Sequence, residues 1–132
     1  MTPHSPSARD ADLALAAEIA ANAGRIAMAH FGKSPARWDK ADGSPVCAAD
    51  MAVNEYLKGV ITAARPDDGW LSEESADSAA RLERRRVWVI DPIDGTSLVA
   101  KGKPGAVSLI AFSPSNTMFN PEDNFYMFKL VT

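Results

Sequence analysis

The chain has 132 residues, a formal net charge of −3 and apolar side chains at 46% of its positions. This length suits one domain with its own core, and the lack of a broad basic face argues against duplex nucleic acid as a partner. Cys47 is the only cysteine, so no intrachain disulfide can form, as expected in a reducing compartment. The sequence contains neither a membrane-spanning apolar run nor the apolar core of a secretory signal, so we expect a cytoplasmic protein without membrane contact.

The first part of the chain changes from a polar lead to a helical pattern. Residues 1–9 are polar and contain two prolines, which predicts a disordered lead. From residue 10 to residue 31, apolar side chains recur at helical spacing and alanine fills much of the remainder. This pattern predicts a first helix, with Gly32 as its C-terminal cap.

Turn chemistry and a second helical pattern follow. Asp42-Gly43 is a turn signal, so residues 38–46 are predicted to form a short hairpin. Residues 48–64 carry an apolar stripe at helical spacing, and Pro66 lies just past its end. We therefore predict a second helix over this range.

Short apolar runs predict strands at residues 70–71, 87–90 and 106–112. Residues 76–86 are polar and charged, which indicates a loop or a short surface helix. After residue 112, turn residues and then an aromatic, apolar run replace the earlier pattern. Residues 113–132 are therefore interpreted as an atypical tail.

Acidic side chains follow two of these predicted strands. Glu73 and Glu74 come after the first, and Asp91 and Asp94 come after the second. Strand ends are where layered α/β folds bind ligands. Carboxylates and the Ile93 carbonyl are oxygen ligands suited to Mg²⁺, and a cation would offset the repulsion among crowded carboxylates. These motifs predict a site for hard divalent cations, although each alone is also typical of a tight turn or a solvated loop.

Phosphate-binding chemistry follows at once along the chain. Gly95 lets the backbone approach a ligand closely, and a helix beginning near Thr96 would direct free N–H groups at an anion. Two cations would clamp a phosphate and activate a water molecule, which Thr96 and Asp50 could orient.

The stretches Trp70–Ser75 and Trp88–Thr96 resemble the first two signature motifs of the inositol monophosphatase superfamily. Its members are Mg²⁺-dependent, Li⁺-sensitive phosphomonoesterases. Lys40–Asp50 is similar to the family's segment before the second helix, and with Phe31-Gly32 it looks closest to bacterial 3′(2′),5′-bisphosphate nucleotidases. The resemblance covers residues 10–112. It implies an α/β fold, the N-terminal, metal-binding half of a layered αβαβα sugar-phosphatase architecture.

The resemblance also implies roles for individual residues. Two or three Mg²⁺ ions would be bound by Glu73, Asp91, the Ile93 carbonyl and Asp94, with Glu74 in support. The catalytic residues would be Asp50, Glu73 and Thr96, and the substrate-binding residues would be Gly95, Thr96 and Lys40. The partner would be a small phosphorylated metabolite.

The chain departs from the family in several respects. The nucleotidase branch commonly has an arginine or asparagine and an aromatic residue after the threonine, where this chain has Ser97-Leu98-Val99, and the run after Phe112 does not resemble the family. The chain is also shorter than family members and lacks their third motif, a tryptophan–aspartate pair that completes the second metal site. Cys47 stands where the family has threonine, and we interpret it as a small buried residue in preference to a reactive thiol.

Three readings of function remain open. The first is a Mg²⁺-dependent phosphomonoesterase acting on 3′-phosphoadenosine 5′-phosphate or an inositol monophosphate. The second is a truncated, weak or inactive family fragment that binds metal or pairs with another chain, for example as a homodimer through an exposed sheet edge. The third is a sugar phosphatase of the fructose-bisphosphatase type.

Overall fold

A computed structural model describes residues 7–117, and within them it contains three α-helices and five β-strands. In chain order these are α1 (Ala8–His30), β1 (Arg37–Asp39), β2 (Pro45–Cys47), α2 (Ala48–Ala64), β3 (Gly69–Ser72), β4 (Arg86–Asp94), α3 (Thr96–Ala100) and β5 (Val107–Pro114). A 3-10 helix, Ala79–Glu83, precedes β4, which confirms one of the two alternatives for that stretch. None of the helices within this described part combines the length and the hydropathy that a membrane crossing requires.

Helix α1 begins earlier than the sequence predicts, because Ser7 caps it. The Ser7 hydroxyl accepts a hydrogen bond from Asp10 N–H at 3.2 Å, and the Asp10 carboxylate accepts one from Ser7 N–H at 3.0 Å. This reciprocal capping box satisfies free amides at the helix start. Residues 7–9 are therefore not part of a disordered lead, and residues 1–6 lie outside the described residues. At the other end Gly32 adopts a φ of +69°, the left-handed conformation typical of a helix C-terminus.

The predicted hairpin and second helix are confirmed. Strand β1 pairs antiparallel with β2, with Trp38 opposite Val46, and Gly43 in the turn has a φ of +81°. Helix α2 follows β2 directly. The Asp50 carboxylate accepts a hydrogen bond from Cys47 N–H at 2.8 Å and so completes the helix start. Cys47 is fully buried, as the sequence predicts.

Strands β3, β4 and β5 form one sheet with β4 in the centre. Strand β3 is parallel to β4, with Ser72 opposite Ile90, and β5 is antiparallel to β4. The central strand is longer than the predicted range 87–90, because it continues to pair with β5 beyond Ile90. Strand β5 likewise extends to Pro114, and residues 118–132 of the predicted tail lie outside the described residues.

Helices α1 and α2 pack against one face of this sheet. Trp88 of β4 is fully buried there, in a core that includes Ile19 of α1 and Leu57 of α2. The other face is less covered, since Val107 and Leu109 of β5 are each 50% exposed. Helices layered on a mixed sheet make this an α/β fold, as the sequence predicts.

Candidate active site

The ends of β3 and β4 bring acidic residues together. Because the two strands are parallel, their carboxyl ends lie at the same edge of the sheet. Glu73 directly follows β3, and its N–H donates to the Ile90 carbonyl at 3.1 Å, one residue before Asp91. The predicted convergence of the two acidic motifs at one sheet edge is confirmed.

A β-bulge in β4 places two aspartates on the same face. Asp91 lies opposite Leu109 of β5 and Asp94 lies opposite Val107, so β4 uses one more residue than β5 over this interval. In a regular strand, residues three positions apart point to opposite faces, and the extra residue brings them to the same one. Pro92 lies inside the bulge, where its missing N–H costs no ladder hydrogen bond.

Asp91 is a carboxylate in crowded surroundings. Its Oδ1 is buried and has no hydrogen-bond partner among the described residues. Burial, the charge of Glu73, a hydrogen bond with Glu73 and the charges of Asp94 and Asp50 together raise the pKa of Asp91 to about 7. A bound cation would provide a partner for Oδ1 and offset the repulsion, so the residues present fit a hard divalent metal ion.

The predicted metal ligands are neighbours that do not yet form a coordination shell. Within residues 7–117, no three His, Cys, Asp or Glu side chains lie close enough together to hold a metal ion as they stand. Asp94 is exposed, and Glu73 contacts a lysine. Glu73 and Asp94 would therefore have to close on an ion, and their role as ligands stays a prediction.

That lysine is Lys40, which the sequence predicts to bind substrate. Its Nζ lies 3.4 Å from Glu73 Oε1 and 3.2 Å from Glu74 Oε2. The Glu74 side chain is only 2% exposed and therefore needs a compensating charge. Burial lowers the pKa of Lys40, but the hydrogen bond and charge of Glu74 and the interactions with Glu73 outweigh it, so the net pKa is raised. The structure makes Lys40 a counter-ion of the acidic residues, and its contact with substrate stays a prediction.

The two residues predicted to position water, Asp50 and Thr96, are in direct contact. Thr96 Oγ1 donates to Asp50 Oδ1 at 2.8 Å, and both side chains are buried. Asp50 Oδ2 accepts from Cys47 N–H, so the carboxylate is held at both oxygens. Because its hydrogen is donated to Asp50, the Thr96 hydroxyl keeps lone pairs that can accept a hydrogen bond from water.

Gly95 joins the bulge to α3. It has a φ of +99°, and a Cβ there would lie 3.2 Å from Leu98 Cδ1 and 3.3 Å from Ala106 Cα. Glycine suits both this conformation and this space. Helix α3 begins at Thr96, as the sequence predicts, and the Ile93 carbonyl oxygen lies 3.3 Å from Thr96 Oγ1. The predicted main-chain ligand therefore borders the pair that would hold water.

Sequence reasoning missed one buried polar residue near the site, Asn54. It hydrogen-bonds to both ends of the segment Ser72–Ser75, which carries the two glutamates. Asn54 follows Asp50 by four positions, about one helical turn, so the two share a face of α2. This spacing is the signal that could have identified it.

Comparison with known proteins agrees with this geometry. A sequence model of the "Inositol monophosphatase family" matches residues 9–113. A protein named glucose-1-phosphate thymidylyltransferase, from Streptomyces griseus, is 46% identical over 96 residues, which cover 73% of this chain and 37% of that protein. A histidinol-phosphatase from Chlorobaculum parvum is 37% identical over 108 residues, covering 81% of this chain and 41% of the relative. A 3′-phosphoadenosine 5′-phosphate phosphatase from Mycobacterium leprae is 40% identical over 85 residues, covering 64% and 30%. The chain therefore spans less than half of each relative, and their names differ in substrate.

Solved structures share the fold. The extragenic suppressor protein suhB from Bartonella henselae superposes with a TM-score of 0.70 at 25% identity, covering 79% of this chain and 41% of that one. An inositol monophosphatase from Zymomonas mobilis gives a TM-score of 0.61 at 34% identity, covering 83% and 41%. The described residues thus adopt the N-terminal part of this fold, as the sequence predicts.

Proposed function

Because the chain belongs to the inositol monophosphatase family of metal-dependent phosphomonoesterases, we propose that it carries the metal-binding part of a phosphomonoesterase site. The observation that carries this proposal is the buried hydrogen bond from Thr96 to Asp50 beside the interacting carboxyls of Asp91 and Glu73. Hydrolysis of a phosphate ester needs a positioned water molecule and a site for cations that bind phosphate. Thr96 and Asp50 would position the water, and Asp91 and Glu73 would bind the cations.

The acidic edge of the sheet would hold Mg²⁺. When bound, this ion would stabilise negative charge on phosphate oxygens and lower the pKa of a water molecule. The residues that would hold it are Glu73, Asp91, Asp94 and the carbonyl of Ile93. All four provide oxygen, the donor that Mg²⁺ prefers. As part of the same proposal, the site would bind two or three Mg²⁺ ions, the number in the family, and Li⁺ would inhibit the reaction.

Thr96 and Asp50 would orient the attacking water. The lone pairs of Thr96 Oγ1 accept a hydrogen from the water, because the hydroxyl's own hydrogen is donated to Asp50 Oδ1. A lone pair of the water oxygen is then left for in-line attack on phosphorus, which forms a new P–O bond as the ester P–O bond breaks. The departing alkoxide takes up a proton to leave as an alcohol, and this balances the proton that the water loses. Gly95, which has no side chain, lets the backbone approach the phosphate, and Lys40 keeps the acidic cluster from repelling it.

We propose a small phosphorylated metabolite as substrate. The resemblance of Phe31–Asp50 to nucleotidases and the name of the Mycobacterium leprae relative support 3′-phosphoadenosine 5′-phosphate. The Zymomonas mobilis structure supports an inositol monophosphate, and the Chlorobaculum parvum relative adds histidinol phosphate to the candidates.

A second reading is favoured by two observations. The chain covers only 37% and 41% of the first two relatives described above, and Val107 and Leu109 leave apolar surface exposed on the sheet. In this reading the chain binds metal or pairs with another chain, and alone it turns over substrate weakly or not at all.

The test is phosphate release by the purified 132-residue chain. Each of the three candidate substrates and fructose 1,6-bisphosphate is offered with Mg²⁺ and with EDTA. We expect EDTA-sensitive release that falls about 100-fold or more in Asp91→Asn and is unchanged in Asp67→Asn, an exposed turn residue. Release that persists in EDTA or in Asp91→Asn would overturn the proposal. Mg²⁺ binding without release would favour the second reading.

A further inference from the structure

A buried hydrogen-bond network ties the segment Ser72–Ser75 to helix α2. At its centre is Asn54, which is 5% exposed. Ser72 Oγ donates to Asn54 Oδ1 at 2.5 Å, and Asn54 Nδ2 donates to Ser75 Oγ at 3.2 Å. One amide group therefore holds the segment at both of its ends.

The same two hydroxyls fix the backbone between them. Ser72 Oγ also accepts Glu74 N–H at 3.2 Å, and Ser75 Oγ also accepts the indole N–H of Trp70 at 3.2 Å. Ser75 N–H donates to the Ser72 carbonyl at 3.3 Å. The segment is thus a closed loop, and its conformation determines where its two glutamates can reach.

We propose that Asn54 is a positioning residue for the metal site, acting through Ser72 and Ser75 on the placement of Glu73. This inference rests on the proposed function, because it takes Glu73 as a metal ligand. An amide offers one acceptor and one donor group in a fixed plane, and each serine uses one of them. Partners that hold ligand residues in place typically alter metal affinity when they are removed.

Asn54 is a polar residue at a buried position where its neighbours on the helix are apolar, so core packing alone does not explain it. On the same helix, Val53 and Leu57 are fully buried in the apolar core. An apolar side chain could fill the position of Asn54 without the free-energy cost of desolvating an amide. In Asn54 this cost is offset only by the hydrogen bonds of the amide. Those bonds all go to the Ser72–Ser75 segment.

Three variants separate positioning from stability. Asn54→Leu removes both hydrogen bonds of the amide at similar volume. Ser75→Ala removes one of them from the loop side, together with the bond from the Trp70 indole. Val53→Ala is the matched control, since it opens the core on the same helix without touching the network.

The first measurement is amide hydrogen exchange by NMR in the metal-free chain. We expect the Glu74 and Ser75 amides to exchange about tenfold faster in Asn54→Leu and Ser75→Ala. The Glu73 amide, which is bonded to Ile90 in the sheet, serves as the internal reference. Val53→Ala should change all three amides alike. Unchanged exchange at Glu74 and Ser75 in both network variants overturns the inference.

The second measurement is titration with Mn²⁺, followed by the electron paramagnetic resonance signal of the free ion. We expect the Mn²⁺ dissociation constant to rise about tenfold in Asn54→Leu and Ser75→Ala and to keep its wild-type value in Val53→Ala. Asp91→Asn should abolish binding. A dissociation constant within about twofold of wild type in both network variants overturns the inference and leaves the proposed function intact. If the wild-type chain binds no Mn²⁺, the proposed function fails, and the role of Asn54 toward metal fails with it.

Discussion

Thr96 has one hydroxyl hydrogen, and its donation to Asp50 Oδ1 determines what the hydroxyl can do next. The remaining lone pairs can only accept, so a water molecule there must present a hydrogen to Thr96. Asp50 is fully buried and cannot exchange this bond for one to bulk water. The pair is therefore organised before any substrate arrives.

Two substitutions at Thr96 distinguish the effect of its hydroxyl from the effect of its size. We expect Thr96→Val to lower phosphate release about 100-fold, because the acceptor for water is lost, and Thr96→Ser to keep most of it. Thr96→Val should also lower the free energy of unfolding by about 1–3 kcal/mol, since Asp50 loses a partner. Initial rates and urea unfolding check the two effects. Equal rates for the valine and serine variants would contradict this role.

Gly95 offers a test that does not depend on turnover. We expect Gly95→Ala to lower the free energy of unfolding by about 1–3 kcal/mol, because a φ of +99° strains any side-chain-bearing residue and the Cβ meets Ala106. Gly59→Ala is the control, since Gly59 lies exposed in α2 with nothing within 4 Å of the added atom. That variant should gain about 1 kcal/mol. Urea unfolding that gives both variants the same sign would refute this explanation.

At the scale of elements, charged side chains join α1, the turn that directly follows α2, and β4, away from the candidate site. Asp12 of α1 accepts from Arg65 Nε at 2.8 Å and from Arg86 of β4. Arg86 in turn lies 2.7 Å from Asp68 Oδ2, which also accepts the indole N–H of Trp88 at 2.7 Å. The network fixes the start of the central strand relative to both helices.

Removing the charge of Asp12 should destabilise the packing of these elements. We expect Asp12→Asn to lower the free energy of unfolding by about 2 kcal/mol. The loss is limited because Arg65 and Arg86 are 28% and 24% exposed and can turn to water. The control Asp77→Asn breaks an exposed pair with Arg81 and should cost about 0.5 kcal/mol or less. Losses of similar size in chemical denaturation would argue against the network.

For the whole molecule, the site makes stability depend on pH. Burial is the largest cause of the raised pKa of both Asp91 and Glu74, and the pKa of Asp91 reaches about 7. Burial also acts on Asp12, but its bonds to two arginines outweigh it and lower that pKa. A raised carboxyl pKa means that the folded chain binds protons more tightly, so stability falls as pH rises from about 4 through 7. The contribution of Asp12 is lost only below about pH 4.

We therefore expect the metal-free chain to melt at least about 5 °C lower at pH 8 than at pH 5. Mg²⁺ should raise the melting temperature more at pH 8, where the carboxylates are charged, and Asp91→Asn should flatten the pH dependence in EDTA. Circular dichroism melts across this pH range provide the measurement. A melting temperature that rises steadily with pH in EDTA would contradict the electrostatic account.

The sequence predicts most elements because their signals are local. Helical periodicity and turn residues predicted α1, the hairpin and α2, and apolar runs predicted the three strands of the sheet, including β4, which carries Asp91. The contact of Lys40 with Glu74 was missed because 34 positions separate the two residues. The bond from Asp12 to Arg86 spans 74 positions, and nothing local links them. Such contacts depend on how the elements pack.

The motif Asp91–Asp94 has four residues, one more than two aspartates on one face of a strand require, and the bulge in β4 holds the extra residue. Two aspartates separated by a single residue would already share a face of a regular strand. The register gives Pro92 and Ile93 no partner on β5, so the longer motif releases a main-chain oxygen from the ladder. This carbonyl oxygen is available because of the spacing between the two aspartates, and its availability does not depend on which side chain stands at position 93. Point substitutions at Ile93 therefore keep this oxygen, whereas deletion of one residue between Asp91 and Asp94 would remove the bulge that frees it.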